Sequence, residues 1–208
     1  MSFLLNIVEP MPLALCRFLI PGVMSLIFLI FSTKTIDKQD IIRFVLAGFI
    51  GIFFYNLFLN TGQQTVSAGA SSFIVNCNPL FASLIGFYIL KQKVKRFFWF
   101  GIFGCIVGVF IISFETYEKF TLNIGVMYIL IAAILTSSYF HIIKPLVNKY
   151  GALTTFSFTL FFGTAPMLFW VSDVYSVITT ASSETLFAML WLSIICTLLG
   201  YYSWTYSV

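Results

Sequence analysis

The chain has 208 residues, of which 60% are hydrophobic and 9% are charged, and its formal net charge is +4 at neutral pH. Average proteins carry roughly 25% charged residues, so this composition excludes an ordinary soluble domain. It also excludes a disordered chain and a nucleic-acid-binding protein, and it makes the lipid bilayer the solvent and the main partner of the protein.

Seven apolar segments are each long enough to cross a membrane as a helix, which takes about 20 residues. Backbone groups in the bilayer must be hydrogen-bonded within their own segment, and these segments are too long for barrel strands. The sequence therefore predicts an all-α, polytopic bundle of seven transmembrane helices. In chain order, the predicted spans are residues 12–31, 41–60, 69–90, 97–114, 124–143, 153–171 and 186–206.

Two formal charges fall within these spans, Arg17 and Arg43, and both lie near a span end. A long arginine side chain at such a position can extend to the lipid headgroups. All seven carboxylates fall in the connections or at their edges. The spans are therefore expected to offer no fixed charge that could match a net ion.

The basic residues of the connections lie almost entirely on one side of the predicted bundle. When alternate connections are compared, nine of ten lysines and arginines fall on the side of residues 32–40, 91–96 and 144–152. Connections rich in lysine and arginine are cytoplasmic in membrane proteins. We therefore predict a multi-pass protein of the cell (inner) membrane, with its N-terminus outside and its C-terminus in the cytoplasm.

The four cysteines, Cys16, Cys77, Cys105 and Cys196, each lie in an apolar run, and none forms a C-x-x-C pair. We therefore expect small packing residues and neither a disulfide framework nor a zinc site. The sequence also contains no Gly-x-Ser-x-Gly nucleophile motif and no cluster of metal ligands. We predict no catalytic residue, no metal and no cofactor.

Two weak internal matches indicate a repeat, which is a common basis of transporter folds. Residues 11–20 match residues 151–160 at an offset of 140, and a second pair of segments matches in the same order at an offset of 145. We predict that residues 1–121 form a first repeat, incomplete at its N-terminus, and that residues 122–208 form a second, incomplete at its C-terminus. An odd number of spans separates the copies, so their orientations in the bilayer are opposite.

Gly101, Gly104 and Gly108 lie on nearly the same face of the fourth predicted span. Small residues allow two helix backbones to approach closely in lipid. We expect this face to pack against another helix of the bundle or, alternatively, against a second copy of the chain. Gly48 and Gly51 provide a weaker version of the same pattern in the second span.

Several short motifs resemble the EamA-like family of the drug/metabolite transporter superfamily. They read Pro12-Leu13, Arg17-Phe18, Tyr55 with Ser67-Ala68, Asn78-Pro79-Leu80-Phe81, and Gly101 with Gly108-Val109. The resemblance implies a ten-span fold with both termini cytoplasmic, of which this chain matches the second to the eighth spans and is therefore truncated at both ends. It also implies export or exchange of small metabolites, without a shared catalytic residue.

Polar side chains recur at helical spacing within the spans, and Pro79 is expected to kink the third span. A carboxamide facing lipid without a partner costs roughly 2–7 kcal/mol, so these side chains must face protein or water. They either form hydrogen bonds between helices or line a cavity for neutral or zwitterionic solutes, and the single histidine is alternatively an interfacial residue without function. The candidate solute-binding residues are Asn56, Asn60, Asn76, Pro79, Ser137, His141, Tyr201 and Trp204.

The predicted function is that of a secondary-active transporter, which exports or exchanges small metabolites such as amino acids by alternating access. A non-functional truncated fragment is the main alternative. A seven-span receptor fits less well, because the Asn78-Pro79 pair lies in the third span and not in the last. An intramembrane enzyme lacks the motifs that its chemistry would need.

Overall fold

The computed structural model describes residues 9–32, 35–88, 91, 97–115, 124–180 and 183–207. These residues form helices and short connections, without a strand. The predicted boundary between the repeats, at residues 121 and 122, lies outside the described part of the chain. So do Lys93, Lys95 and Arg96 of the predicted basic connection.

The described part of the chain folds into seven helices, which we number in chain order. Four of them are interrupted by a short stretch of π-helix or 3-10 helix or by a turn. The helices are α1 (Pro10–Phe31), α2 (Lys38–Gly62, with a π-helical stretch at Phe49–Phe54), α3 (Ala68–Asn76 and Asn78–Tyr88), α4 (Phe97–Glu115), α5 (Ile124–Tyr150), α6 (Ala152–Thr164, then a 3-10 stretch at Ala165–Trp170 and Val171–Thr180) and α7 (Ser183–Trp191, a π-helical stretch at Leu192–Leu199 and Gly200–Ser207).

Each predicted span corresponds to one of these helices, and the predicted all-α membrane bundle is confirmed. Five helices, α1, α2, α3, α5 and α6, are both long and apolar enough to cross a bilayer, and the apolar parts of α4 and α7 among the described residues are shorter. Large apolar side chains cover the outer surface, as the 68% exposure of Phe103 illustrates. Such a surface suits lipid, because the hydrocarbon core of the bilayer is itself apolar.

The connection predicted at residues 144–152 is wrong, because α5 continues to Tyr150 and α6 begins at Ala152. Only Gly151 lies between them, with φ 83° and ψ 161°. Residues other than glycine rarely adopt this backbone conformation, so Gly151 allows the chain to reverse direction between α5 and α6. Polar residues mark where the bilayer ends, but a helix can continue into the headgroup region without losing its hydrogen bonds.

The core of the bundle lies where α1, α2 and α6 meet. Leu15, Phe18, Ile52 and Leu160 are fully buried there and pack in one cluster. In lipid, this packing contributes through close contact and not through removal of apolar surface from water. The helices α1, α2, α5 and α6 therefore form the inner frame, whereas the described part of α4 packs against α3.

The glycines of α4 do not mark a place where the backbones of two helices touch. A Cβ atom on Gly48 would lie 2.7 Å from the backbone nitrogen of Gly163, so α2 and α6 touch there through backbone. In α4, a Cβ on Gly108 would lie 2.5 Å from the Phe73 ring, but one on Gly104 would meet no atom within 4 Å. A Cβ on Gly101 would lie 3.4 Å from a side-chain carbon of Leu80, so this face of α4 contacts α3 at Gly101 and Gly108 but not at Gly104. Self-association through it stays a prediction.

A disulfide bond joins Cys77, at the interruption of α3, to Cys105 of α4. This corrects the expectation that the cysteines are unpaired packing residues. The two residues are 28 positions apart and lie on different helices, so their proximity depends on how the helices pack and not on a local motif. Cys16 is a free, half-buried thiol.

A cluster of charged residues ties α2 to α5 at one end of the bundle. The Nζ atom of Lys149 lies 2.5 Å from a carboxylate oxygen of Asp37 and 2.5 Å from one of Asp40. The hydroxyl of Tyr150 donates to Asp40 at 2.8 Å, and Arg43 forms an ion pair with Asp40 at 3.3 Å. The N-terminal end of α2 and the C-terminal end of α5 therefore lie side by side, as the alternation of spans requires.

Candidate functional site

A cavity of about 290 Å³ lies between five helices and is the main candidate site. Its walls come from both predicted repeats. The lining residues are Arg17 of α1, Gly51 and Tyr55 of α2, Val75, Asn76, Asn78 and Pro79 of α3, Thr136, Tyr139 and Phe140 of α5, and Thr205 of α7. This combination of aromatic rings with a few polar groups is typical of small-molecule sites.

The cavity owes its α3 wall to a break in that helix. Cys77 forms a turn between the two parts of α3, and Pro79 stands at the start of the second part. Because proline has no N–H group, it cannot donate the hydrogen bond that would continue the first part of the helix. The predicted kink is therefore present, and it places Asn76, Asn78 and Pro79 in the wall of the cavity.

Two predicted site residues of α5 hold the second part of α3 in place. The hydroxyl of Ser137 lies 3.0 Å from the carbonyl oxygen of Asn78, and Nε2 of His141 lies 2.9 Å from the carbonyl oxygen of Ala82. Since a carbonyl only accepts hydrogen bonds, the contact requires the proton on Nε2. Neither Ser137 nor His141 lines the cavity, so the geometry gives them a supporting position behind its wall.

The predicted pair on α2, Asn56 and Asn60, is buried in the bundle and does not line the cavity. The amide nitrogen of Asn56 donates to the carbonyl of Ile52 at 2.7 Å, and that of Asn60 donates to the carbonyl of Pro10 at 3.1 Å. Both side chains are fully buried. The Oδ1 atoms of both asparagines have no hydrogen-bond partner among the described residues.

The remaining predicted site residues divide into two groups. Asn76 and Pro79 line the cavity, as expected. The side chains of Tyr201 and Trp204 lie outside the described part of the chain. The described residue Thr205, which follows Trp204, lines the cavity from α7.

Arg17 corrects the expectation that the spans carry no usable charge. Its side chain is half-buried in the cavity wall, and its Nε donates to the hydroxyl of Thr197 at 2.6 Å. Its guanidinium carbon lies 5.3 Å from the centre of the Phe18 ring. Arg17 stands seven residues after Pro10, roughly 10 Å along the helix axis. The signal in the sequence was that Arg17 lies inside the predicted span at residues 12–31 and not in a connection.

One π-helical stretch contributes Gly51 to the cavity lining, and the other contacts Arg17 of that lining. The stretch in α2 contains Gly51, where a Cβ would collide with the ring of Tyr139, so glycine lets that ring lie against the α2 backbone. The stretch in α7 contains Thr197, whose hydroxyl donates to the carbonyl of Leu192 at 3.0 Å while accepting from Arg17. Local π-helix is often found at functional sites.

A second space, of about 280 Å³, lies between α1, α6 and α7. Its walls include Met24, Phe28, Leu153 and Phe156, and its polar groups are two serines and one tyrosine. No charged residue is among the residues described as lining it. This apolar groove lacks the convergent polar groups of the first cavity, so the first cavity is the better candidate for a polar solute.

The comparisons with known proteins agree with the geometry. The family model described as the EamA-like transporter family matches residues 1–114. The chain belongs to this family. The resemblance inferred from the short motifs is therefore confirmed.

Individual relatives extend the similarity over nearly the whole chain. The chain is 32% identical over 199 residues to the uncharacterized transporter YdfC of Bacillus subtilis, a match that covers 95% of this chain and 65% of that protein. It is 24% identical over 206 residues to an uncharacterized transporter of Archaeoglobus fulgidus, covering 99% and 72%. It is 26% identical over 174 residues to a probable terminal-alkyne amino-acid exporter of Streptantibioticus cattleyicolor, covering 82% and 57%.

The chain thus spans between 57% and 72% of the lengths of these three relatives. No solved structure matches it significantly.

Proposed function

We propose that this chain acts as a secondary-active transporter that exports or exchanges small metabolites such as amino acids by alternating access. The observation that carries the proposal is the cavity of about 290 Å³, which is walled by helices of both predicted repeats. This volume is at the lower end of the range of ligand sites, about 300–1,000 Å³, and favours a small solute. Membership of the EamA-like family and the name of the amino-acid exporter among the relatives support it.

In the proposed mechanism, the two inverted repeats rock against each other around the cavity. Contacts between the repeats would then differ between the two states. The Lys149 contacts with Asp37 and Asp40 join the first repeat to the second at one end of the bundle, so they are suited to closing that end. Opening of the same end would require these ion pairs to separate.

The proposed driving force is a gradient of solute and not the protonation of a carboxylate in the cavity. A proton-driven carrier normally uses an acidic residue or a histidine within the membrane. The described lining of the cavity contains neither type of residue. Exchange of one solute molecule for another needs no such group.

Counterflow in proteoliposomes tests the proposal. Vesicles containing the full chain are loaded with a mixture of unlabelled L-amino acids and then supplied with a trace of the same mixture in radiolabelled form. We expect accumulation of label, and we expect Asn76→Trp to reduce it to the level of empty vesicles, because the indole would occupy the cavity. The matched control is Phe103→Trp, which places the same side chain on an outer surface that is 68% exposed.

Accumulation by the Asn76→Trp variant at the level of the unmodified chain would contradict transport through this cavity. Absence of counterflow by the unmodified chain would contradict the proposed activity itself. In either case, the stability of each variant in detergent shows whether the protein was folded.

The proposed orientation has a separate test. Lys91 and Asp173 are exposed and belong to connections predicted on opposite sides of the membrane. We expect Lys91→Cys to react with a membrane-impermeant maleimide only from the cytoplasm, and Asp173→Cys only from outside. Reaction of both cysteines from the same side would exclude the predicted alternation of spans.

A further inference from the structure

The cavity has a positive wall. Among the residues described as lining it, Arg17 alone carries a formal charge, and no carboxylate is in the lining. The effective dielectric constant within a membrane protein is lower than in water, so a charge there acts more strongly on a solute than the same charge at a surface. A solute entering this cavity therefore meets a site that favours a negative group.

The position of the guanidinium group is fixed from two directions. Its Nε donates to Thr197 at 2.6 Å, and the Phe18 ring lies 5.3 Å from the guanidinium carbon. Together these contacts orient the plane of the group. A planar guanidinium matches a carboxylate through two parallel N–H···O hydrogen bonds, whereas the ammonium group of lysine acts as a point charge.

The aromatic part of the lining suits an ammonium group. The rings of Tyr55, Tyr139 and Phe140 line the cavity, and aromatic faces attract cations. A zwitterionic solute therefore finds a partner for each of its two charges in the described lining.

We propose that Arg17 determines the specificity of this cavity by binding the carboxylate of a zwitterionic solute, while the aromatic rings of Tyr55, Tyr139 and Phe140 attract the ammonium group of that solute. Thr197 acts as a positioning residue, because it holds the Nε side of the guanidinium. This inference rests on the proposed function only in assuming that the cavity is a solute site. It requires binding and does not require flux.

Equilibrium binding to the purified full chain in detergent tests the assignment. The probe is a radiolabelled mixture of the protein L-amino acids, displaced by unlabelled amino acids, by their amides, which lack the carboxylate, or by their N-acetyl derivatives, which lack the ammonium group. We expect the unlabelled amino acids to displace the probe at concentrations roughly tenfold to a hundredfold lower than either analogue, as for the loss of one charged hydrogen-bonded contact.

The variants separate the role of charge from that of shape. Arg17→Gln should weaken amino-acid binding by roughly tenfold to a hundredfold and leave the affinity for amides unchanged. Arg17→Lys and Thr197→Val keep a positive charge in the wall but lose the oriented fork, so each should weaken amino-acid binding by about tenfold. The control is Arg43→Gln, which removes an arginine whose side chain is 58% exposed and outside the cavity, and which should bind as the unmodified chain does.

Two results would overturn the assignment. One is equal displacement by amino acids and amides. The other is unchanged amino-acid binding in every folded variant of Arg17. If Arg17→Gln does not fold, Arg17→Lys and Thr197→Val still test the role of Arg17, because both keep a positive charge in the cavity wall but lose the oriented guanidinium fork.

The binding and flux experiments distinguish failure of the Arg17 assignment from failure of the proposed transport activity. Binding that depends on Arg17 without counterflow would support the Arg17 assignment and contradict the proposed transport activity. Counterflow of solutes that lack a carboxylate, together with no binding of amino acids, would support transport and overturn the role of Arg17.

Discussion

The contact between Gly48 of α2 and Gly163 of α6 should be among the sites least tolerant of added volume. A Cβ on Gly48 would lie 2.7 Å from the backbone nitrogen of Gly163 and 2.7 Å from the carbonyl oxygen of Thr159. It would also lie 2.9 Å from the Cβ of Phe162. Two of these three atoms belong to the backbone, so a change of rotamer cannot relieve the collision, and α2 and α6 must move apart.

The magnitude of the effect follows from the size of this displacement. Ordinary contacts begin at 3.4 Å, so the Cβ of a Gly48→Ala variant is about 0.7 Å too close. Overpacking of this kind typically costs about 1–3 kcal/mol. Replacement of glycine by alanine within a helix recovers at most about 1 kcal/mol. Because three atoms lie closer than 3.0 Å, we take the upper part of that cost, about 2–3 kcal/mol, and subtract about 1 kcal/mol. We therefore expect Gly48→Ala to lower the free energy of unfolding by about 1–2 kcal/mol.

Gly104→Ala provides the matched control, because a Cβ at Gly104 meets no atom within 4 Å. It should leave stability unchanged or raise it slightly. The assay is unfolding in mixed micelles by titration with sodium dodecyl sulfate, followed by circular dichroism. Equal stability of Gly48→Ala and the unmodified chain, or a larger loss for Gly104→Ala, would refute the reasoning that places the tight helix crossing at α2 and α6.

Two further predictions concern the end of the bundle and the disulfide. Tyr150→Phe removes the hydrogen bond that the hydroxyl donates to Asp40 at 2.8 Å. It should therefore lower the thermal unfolding midpoint by roughly 2–4 °C. The control is Tyr175→Phe, at a residue that is 73% exposed, and it should not change the midpoint. A normal midpoint for Tyr150→Phe would show that the hydrogen bond contributes little. In denatured protein, Cys77 and Cys105 should be alkylated only after reduction, as mass spectrometry of the peptides will show, and alkylation without reduction would disprove the bond.

Part of the candidate site was accessible from the sequence. Asn76 and Pro79 were expected at a solute cavity, and both line it. Ser137 and His141 were placed on the right helix, but their side chains contact the backbone of α3. The helical period shows which residues share a face, but it does not show whether the neighbour of that face is a cavity or another helix. For Arg17, that distinction changed the chemistry of the site.

The number and order of the helices in the described part of the chain could be predicted from the sequence, because the bilayer imposes length and composition on each span separately. The hydropathy of a segment is calculated from its own residues, whatever helices pack beside it. The sequence did not predict that Gly48 meets Gly163, that Cys77 meets Cys105, or that Arg17 lies in the wall of a cavity. Each of these contacts joins different helices, and it depends on the crossing positions and rotations that the helices adopt when they pack together.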